Sequence, residues 1–228
     1  MLASSESRKY FFYALGEIAL VVIGILIALQ INNWNEWRKE RILEKNVLID
    51  LKDNLERNIS LATNAISQIK EINRSSEIVV KFVSGDLATT DSLGHHFSQS
   101  SRSGTFLFEV NKDGYESFKN IGFEILSSKA LKNKILNLFE VSYQKYESQI
   151  QVTNAFWNHD PFWWKDYFKD GFRTKTPHDV SKLQYNTDIY NIVNVFWEQR
   201  KAIIGILEFV NNESLEVLDL INEELSRS

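Results

Sequence analysis

The chain opens on two hydrophobic patterns laid end to end. From Phe11 to Ile31 the sequence FFYALGEIALVVIGILIALQI is apolar on every side, broken by one carboxylate, Glu17. At the helical rise such a run extends roughly 31 Å, about the thickness of a bilayer's hydrocarbon layer. It therefore predicts a membrane-spanning helix rather than a buried core helix. Beyond it the apolar residues narrow to one face: Leu48, Leu51, Leu55, Ile59, Ala62, Ile66, Ile69 and Ile72 recur at threes and fours, with charges and amides between them. That period predicts one long amphipathic helix, continuing from the span with at most a bend around Asn32 to Asn35.

Further along, residues 84–103 are rich in Ser, Thr, Asp and Gly and lack periodicity, which predicts a loop without core structure. Thr105 to Val110, TFLFEV, alternates weakly and reads as a short extended piece. Asp113, with Glu116 three positions on and Gly122 as a stop, predicts a short helix. Ser127 or Ser128 opens a longer one, with Leu131, Ile135, Leu138, Phe139, Ser142 and Tyr146 along one side. Asp160 and Pro161 suit a helix start, so FWWKDYF should form a short helix ending near Gly171. A final helix begins around Asp188 on an apolar face of Ile189, Ile192, Val193, Phe196, Ile203, Leu207 and Val210, and Leu215, Leu218, Ile221 and Leu225 extend it.

The fold class that follows is all-α: an N-terminal transmembrane helix continuing into a long juxtamembrane helix and an antiparallel helical bundle. Residues 1–35 form the tail and anchor, and residues 36–228 a soluble helical-bundle domain with a loop-rich insertion around 84–112. No internal repeat is visible.

Composition narrows the chemistry. The 228 residues leave room for one ordinary domain beside the anchor. A formal net charge of −4 removes the electrostatic term on which nucleic-acid binding rests. With no cysteine there are no disulfides, thiolate metal sites or Cys nucleophiles. A cleaved signal peptide would have a shorter apolar run and small residues after it, whereas this run leads into QINNWNEWRKER. Aromatics flank both ends of the span. Tyr10, Phe11, Phe12 and Tyr13 stand before it and Trp34 and Trp37 after it, as rings at a headgroup boundary would. Of these, Tyr10, Tyr13, Trp34 and Trp37 are the expected interface belt.

Arg8 and Lys9 precede the span, and Arg38, Lys39, Arg41 and Lys45 follow it among Glu36, Glu40 and Glu44. That tally barely separates the two orientations. The expectation is a bacterial inner (cytoplasmic) membrane protein, single-pass, with the soluble domain in the periplasm.

Within the span, Ala14, Glu17, Val21, Gly24, Ala28 and Ile31 follow one another at alternating steps of three and four, the seam of a left-handed helix pair. Gly24 and Ala28 form a small-xxx-small pair that admits a second backbone. A carboxylate facing lipid would cost on the order of a few kcal/mol, so Glu17 on this seam is expected to face protein. The competing account is a hydrated side chain near the membrane edge, only six residues inside Phe11.

RKYFFYALGEIALVVIGILIALQINNWNEWRKER resembles the opening of the Bacteroidota membrane proteins grouped as domain-of-unknown-function family 6090, with their RKY, GEI and VIGILIALQINNWNE pattern. A second stretch, YESFKNIGFEILSSKALKNKILNLFE from Tyr115 to Glu140, is similar to the family's YE-x-LK-x-SG segment and the Lys- and Leu-rich helix after it. Here Phe118 and Ile121 stand in place of Leu and Ser. The two segments cover about a quarter of the chain. The resemblance implies a single-pass membrane protein with a helical soluble part, and no activity.

The candidate sites are few. His95, His96, His159 and His178 lack a metal-binding spacing, and His95 and His96 are expected to be solvated in a loop. His159 beside Asp160 is explained by a helix boundary with a capping Asp. No G-x-S-x-G, S-x-x-K or glycine-rich phosphate loop is present. Glu213, Glu216, Asp219, Glu223 and Glu224 are read as a solvated helix face.

The unusual feature is aromatic: Phe156, Trp157, Phe162, Trp163, Trp164, Tyr167, Phe168 and Phe172. Most should fill the core, while Trp157, Phe162, Trp163 and Trp164 are candidate contacts with a partner or the membrane surface. No enzyme, cofactor or metal is expected. Two readings follow. One is a membrane-anchored interaction or scaffold protein that oligomerises through its anchor or holds another membrane protein. The other is a ligand-binding sensor coupled to a single transmembrane helix.

Overall fold

The computed structural model describes residues 5–101, 108–157, 163–169 and 175–227, with side chains from Tyr10 onward except those of residues 156, 157 and 163. One helix, α1 (Ser5–Val83), carries both hydrophobic patterns without interruption and is about 118 Å long at the helical rise. The bend allowed for at Asn32 to Asn35 is not taken as a break. The segment contains no proline, and asparagine costs a helix only tenths of a kcal/mol. The helix ends where Gly85 takes a left-handed conformation, φ 84°, and the Asp86 N–H reaches back to the Lys81 carbonyl at 2.8 Å. That backward bond closes the last turn, and glycine takes the conformation without a Cβ penalty.

Among the described residues five further α-helices follow: α2 (Leu93–Ser100), α3 (Asp113–Ile121), α4 (Lys129–Asn137), α5 (Tyr143–Trp157) and α6 (Thr187–Arg227). A two-residue pair of strands, β1 (Phe168–Lys169) and β2 (Thr176–Pro177), joins antiparallel before α6. The fold is all-α, as the periodicities required.

Two of the expected boundaries are found. The Ser128 hydroxyl accepts from the Leu131 N–H and caps α4, and α3 stops before Gly122. Asp113 begins α3, but the side chain that accepts from its N–H is that of Asn111, two residues earlier. FWWKDYF is shorter than expected. Residues 163–166 make a single 3-10 turn and the chain then enters β1. Asp160, Pro161, His159, Phe162, Gly171 and Phe172 lie outside the described residues, as do residues 105–107 of the TFLFEV piece; residues 108–110 form no strand.

Residues 84–103 are not the core-free loop their composition predicts. Short α2 lies inside them, and Leu93 and Phe97 are buried in a second hydrophobic cluster with Val79, Phe82, Phe168 and Leu183. Eight residues are too few for a period to stand out among serines, and two buried apolar side chains, Leu93 and Phe97, with buried Ser100 beside them, hold so short a helix in place.

The long helices are ordered by polar contacts at known heights. α6 runs antiparallel to α1, since Arg200 meets Ser76 while Glu208 meets Lys70. It also runs antiparallel to α4 and α5, since Lys134 meets Glu216 and Tyr143 meets Ser214. α1 and α4–α5 share one direction, because residues 84–126 first carry the chain back along α1. Asn111 pairs with Asn58 on that return, and Ser127 reaches Glu44.

Gly114 marks the closest approach of this returning segment. A Cβ there would fall 2.7 Å from the Asp50 carbonyl oxygen, and its N–H donates to Asn54 at 2.8 Å. α4 and α5 join through a π-turn at Leu138–Ser142, whose wider winding lets adjacent Leu138 and Phe139 both face the core.

Between the larger cluster around Leu48, Leu55, Phe118 and Leu207 and the smaller one at the far end lies a polar layer. Arg200, 1 % exposed, donates to the Ser76 hydroxyl at 2.9 Å and to the Ser100 carbonyl, tying α6 to α1 and α2. Burial draws its guanidinium pKa down to about 10.

Candidate functional site

Every residue of the expected seam lies on α1 and is exposed: Ala14, Glu17, Val21, Gly24, Ala28 and Ile31. Exposure is unbroken from Tyr10 to Glu40, so no other part of the described chain covers this half of the helix. A Cβ on Gly24 would meet nothing within 4 Å. The belt residues Tyr10, Tyr13, Trp34 and Trp37 are exposed as well. Among the described residues, one helix is long and apolar enough to cross a membrane, and its most apolar stretch is wholly uncovered.

Burial begins at a joint. Glu44, 3 % exposed, accepts from the Ser127 N–H at 2.7 Å and the Ser127 hydroxyl at 2.8 Å, and pairs with Arg41, whose guanidinium also donates to the Ser127 hydroxyl at 3.1 Å. Val47, Leu48 and Leu51 enter the core just beyond. The exposed half of α1 is thereby locked to the start of α4 by charge-assisted hydrogen bonds. Any displacement along or about α1 must move the bundle with it. Sequence reasoning missed this joint. Glu44 reads as one of three glutamates in a charged run, and nothing local marks the one that turns inward.

The aromatic contact set is only partly described. The side chains of Trp157, Phe162 and Trp163 lie outside the described residues. Trp164 is half-buried against the second cluster, with the Lys175 ammonium 3.9 Å from its ring centre, while Tyr167 is half-buried and Phe168 fully so. These three rings therefore face the domain's own core.

The histidines differ from their expected loop setting. His95 is exposed on α2, but His96 bridges the Ser75 and Ser92 hydroxyls at 3.1 and 3.3 Å. Burial, with a smaller contribution from His95, holds its pKa below the usual histidine value. The acidic face of α6 is only partly solvated. Glu213 accepts from Ser142, and Glu216 pairs with Lys134 at 2.7 Å. Among the described residues no three His, Asp or Glu side chains gather in a way that could hold a metal ion.

The segment from Tyr115 to Glu140 folds back on itself. The Tyr115 ring stacks on Phe139 at 4.4 Å between centres, and its hydroxyl donates to the Glu140 carboxylate at 2.6 Å. The two ends of the motif close one corner of the core.

What these features define is an all-α protein built on a single helix, half uncovered and apolar, half the spine of a bundle. The chain belongs to a family of unknown function, DUF6090, whose model matches residues 17–155, from Glu17 through most of α5. No curated protein and no solved structure matches it.

Proposed function

We propose that the protein is a membrane-anchored, non-enzymatic interaction or scaffold protein of a bacterial inner membrane, oligomerising through its anchor helix with the bundle held in the periplasm. The observation that carries this reading is the contrast along α1. Its apolar half has no cover from the described chain, whereas its amphipathic half buries one face in the bundle from Glu44 onward. An uncovered apolar helix of that length is stable only in lipid or against another apolar surface. On the seam, Gly24 and Ala28 admit a second helix, and Glu17 gains a protein neighbour in place of lipid.

The experiment is oxidative crosslinking of full-length Ala28→Cys in native membranes, in a chain that otherwise has no cysteine. A disulfide-linked dimer that Glu17→Ala weakens supports the seam; crosslinking unaffected by Glu17→Ala counts against it. Reporters fused to Ser228 that work on only one side of the bilayer test the orientation.

The joint favours a second reading, a sensor that shifts its anchor. Because Glu44, Arg41 and Ser127 couple α1 to α4, a ligand that moves the bundle would move the span. A small molecule that raises the melting temperature of the full chain would support it.

A further inference from the structure

We propose that the groove between α5 and α6 is the docking face for a second copy of this chain, set face to face about a dyad parallel to the helices. The proposal rests on the anchored reading above, since a shared membrane fixes the height and direction of both copies.

The groove encloses about 710 Å³ along one side of the bundle. Its walls present Val141 at 42 %, Val152 at 64 % and Phe209 at 51 % exposure, apolar side chains that the described residues leave about half uncovered. Opposite Val152 the wall of α6 is low. Ala202 and Gly205 line it, and a Cβ on Gly205 would meet nothing within 4 Å. One wall thus carries a projecting side chain and the other a vacancy.

The two stand level. Tyr143 meets Ser214 at 2.8 Å, and because α5 and α6 run in opposite directions with equal rise, nine residues onward along α5 and nine back along α6 bring Val152 beside Gly205. A dyad parallel to the helices keeps every residue at its own height and sets α5 of one copy against α6 of the other. Val152 of each copy then faces the Ala202 and Gly205 hollow of its mate, twice over, as an isologous interface requires. Neighbouring helices alternate in direction around the resulting four, which is the arrangement of an up-down bundle.

Charge agrees with this occupant. Of the groove's lining side chains only Glu140 and Lys145 are charged, one of each sign, and the amides of Gln144 and Gln149 make up much of the rim. Such a face neither repels its own copy nor selects an acidic or basic peptide. Lipid is excluded by distance. Glu208, next to Phe209, pairs with Lys70, which stands about 58 Å along α1 from Ile31 at the helical rise.

The test uses two full-length single-cysteine chains, Val152→Cys and Gly205→Cys, with different tags and co-expressed in one membrane, so that no disulfide can form within a chain. A disulfide needs Cα atoms within about 7 Å. The expected result on mild oxidation is a mixed dimer carrying both tags, absent when Val152→Cys is paired with Asp53→Cys on the exposed side of α1. If the mixed pair stays monomeric while Ala28→Cys crosslinks, the groove proposal falls and the anchor seam stands. If the mixed pair links and Ala28→Cys does not, the seam falls and the groove stands. Thiols at both positions shielded by a different protein, with no mixed dimer, also overturn the proposal.

Discussion

Glu44 and Ser127 stand 83 residues apart and are joined twice, the carboxylate accepting from both the backbone N–H and the hydroxyl of the serine. This pair marks where the uncovered half of α1 becomes the spine of the bundle. Removing the acceptor leaves a buried N–H without its partner. Glu44→Ala is expected to cost about 2 kcal/mol of stability. Denaturant unfolding of the full chain in detergent checks it: a lower midpoint at unchanged slope is the predicted result.

Gly114 should tolerate no side chain. The Asp50 carbonyl 2.7 Å from its would-be Cβ is backbone in the middle of α1 and cannot swing aside. Gly114→Ala is therefore expected to push α3 off α1 and to destabilise by roughly 1–3 kcal/mol, although the same change in an open helix would stabilise. A melting temperature equal to or above the parent's would contradict the close approach.

His96 makes the α2 contact sensitive to acid. Its folded pKa lies below the usual histidine value, so on acidification the unfolded chain takes up the proton first. The stability conferred by neutral His96 is complete above the unfolded value near 6.5 and is lost as pH falls below it. The protection factors of residues 93–100, exchange corrected for its intrinsic pH dependence, should fall at mildly acid pH, and His96→Gln should remove that dependence. Unchanged protection in the parent chain would refute it.

Alkali should act on the larger core. Burial raises the Tyr143 and Tyr146 hydroxyls above the ordinary tyrosine value, and burial followed by the Glu140 carboxylate raises Tyr115. Above about pH 10 the unfolded chain loses these protons while the folded chain keeps them, so stability falls as pH rises. Arg200 works the other way, since its folded pKa is lowered to about 10, but one group does not offset three. The ionisation of Tyr115, Tyr143 and Tyr146, followed by absorbance, should coincide with loss of helix. Ionisation of all tyrosines in a still-helical chain would contradict their burial.

Much of the fold was legible because its signals are periodic. The faces of α1, α4 and α6 were read from the positions of Leu48 to Ile72, Leu131 to Tyr146 and Ile189 to Val210, since long amphipathic helices repeat their pattern many times. What escaped the sequence depends on single long-range contacts. The packing of α2 rests on Leu93 and Phe97 meeting Phe82 and Phe168, the α3 contact on the absence of a Cβ at Gly114, and the joint on one glutamate among three. The seam residues lie on the uncovered half of α1, and their spacing was legible because a heptad pattern needs no tertiary information. The groove between α5 and α6 was invisible, since its depth comes from Gly205 and Ala202 standing level with Val152.

In the function proposed above, α1 crosses the bilayer as one rod and enters the bundle at Glu44. Single cysteines placed from Ala14 to Lys45 in the cysteine-free chain, probed in intact membranes with a water-soluble maleimide, test it most directly. The predicted result is protection through Ile31, with labelling regained from about Asn35 onward and lost again at Glu44. Free labelling of Val21 and Gly24 would show that this segment lies in water and would contradict the account.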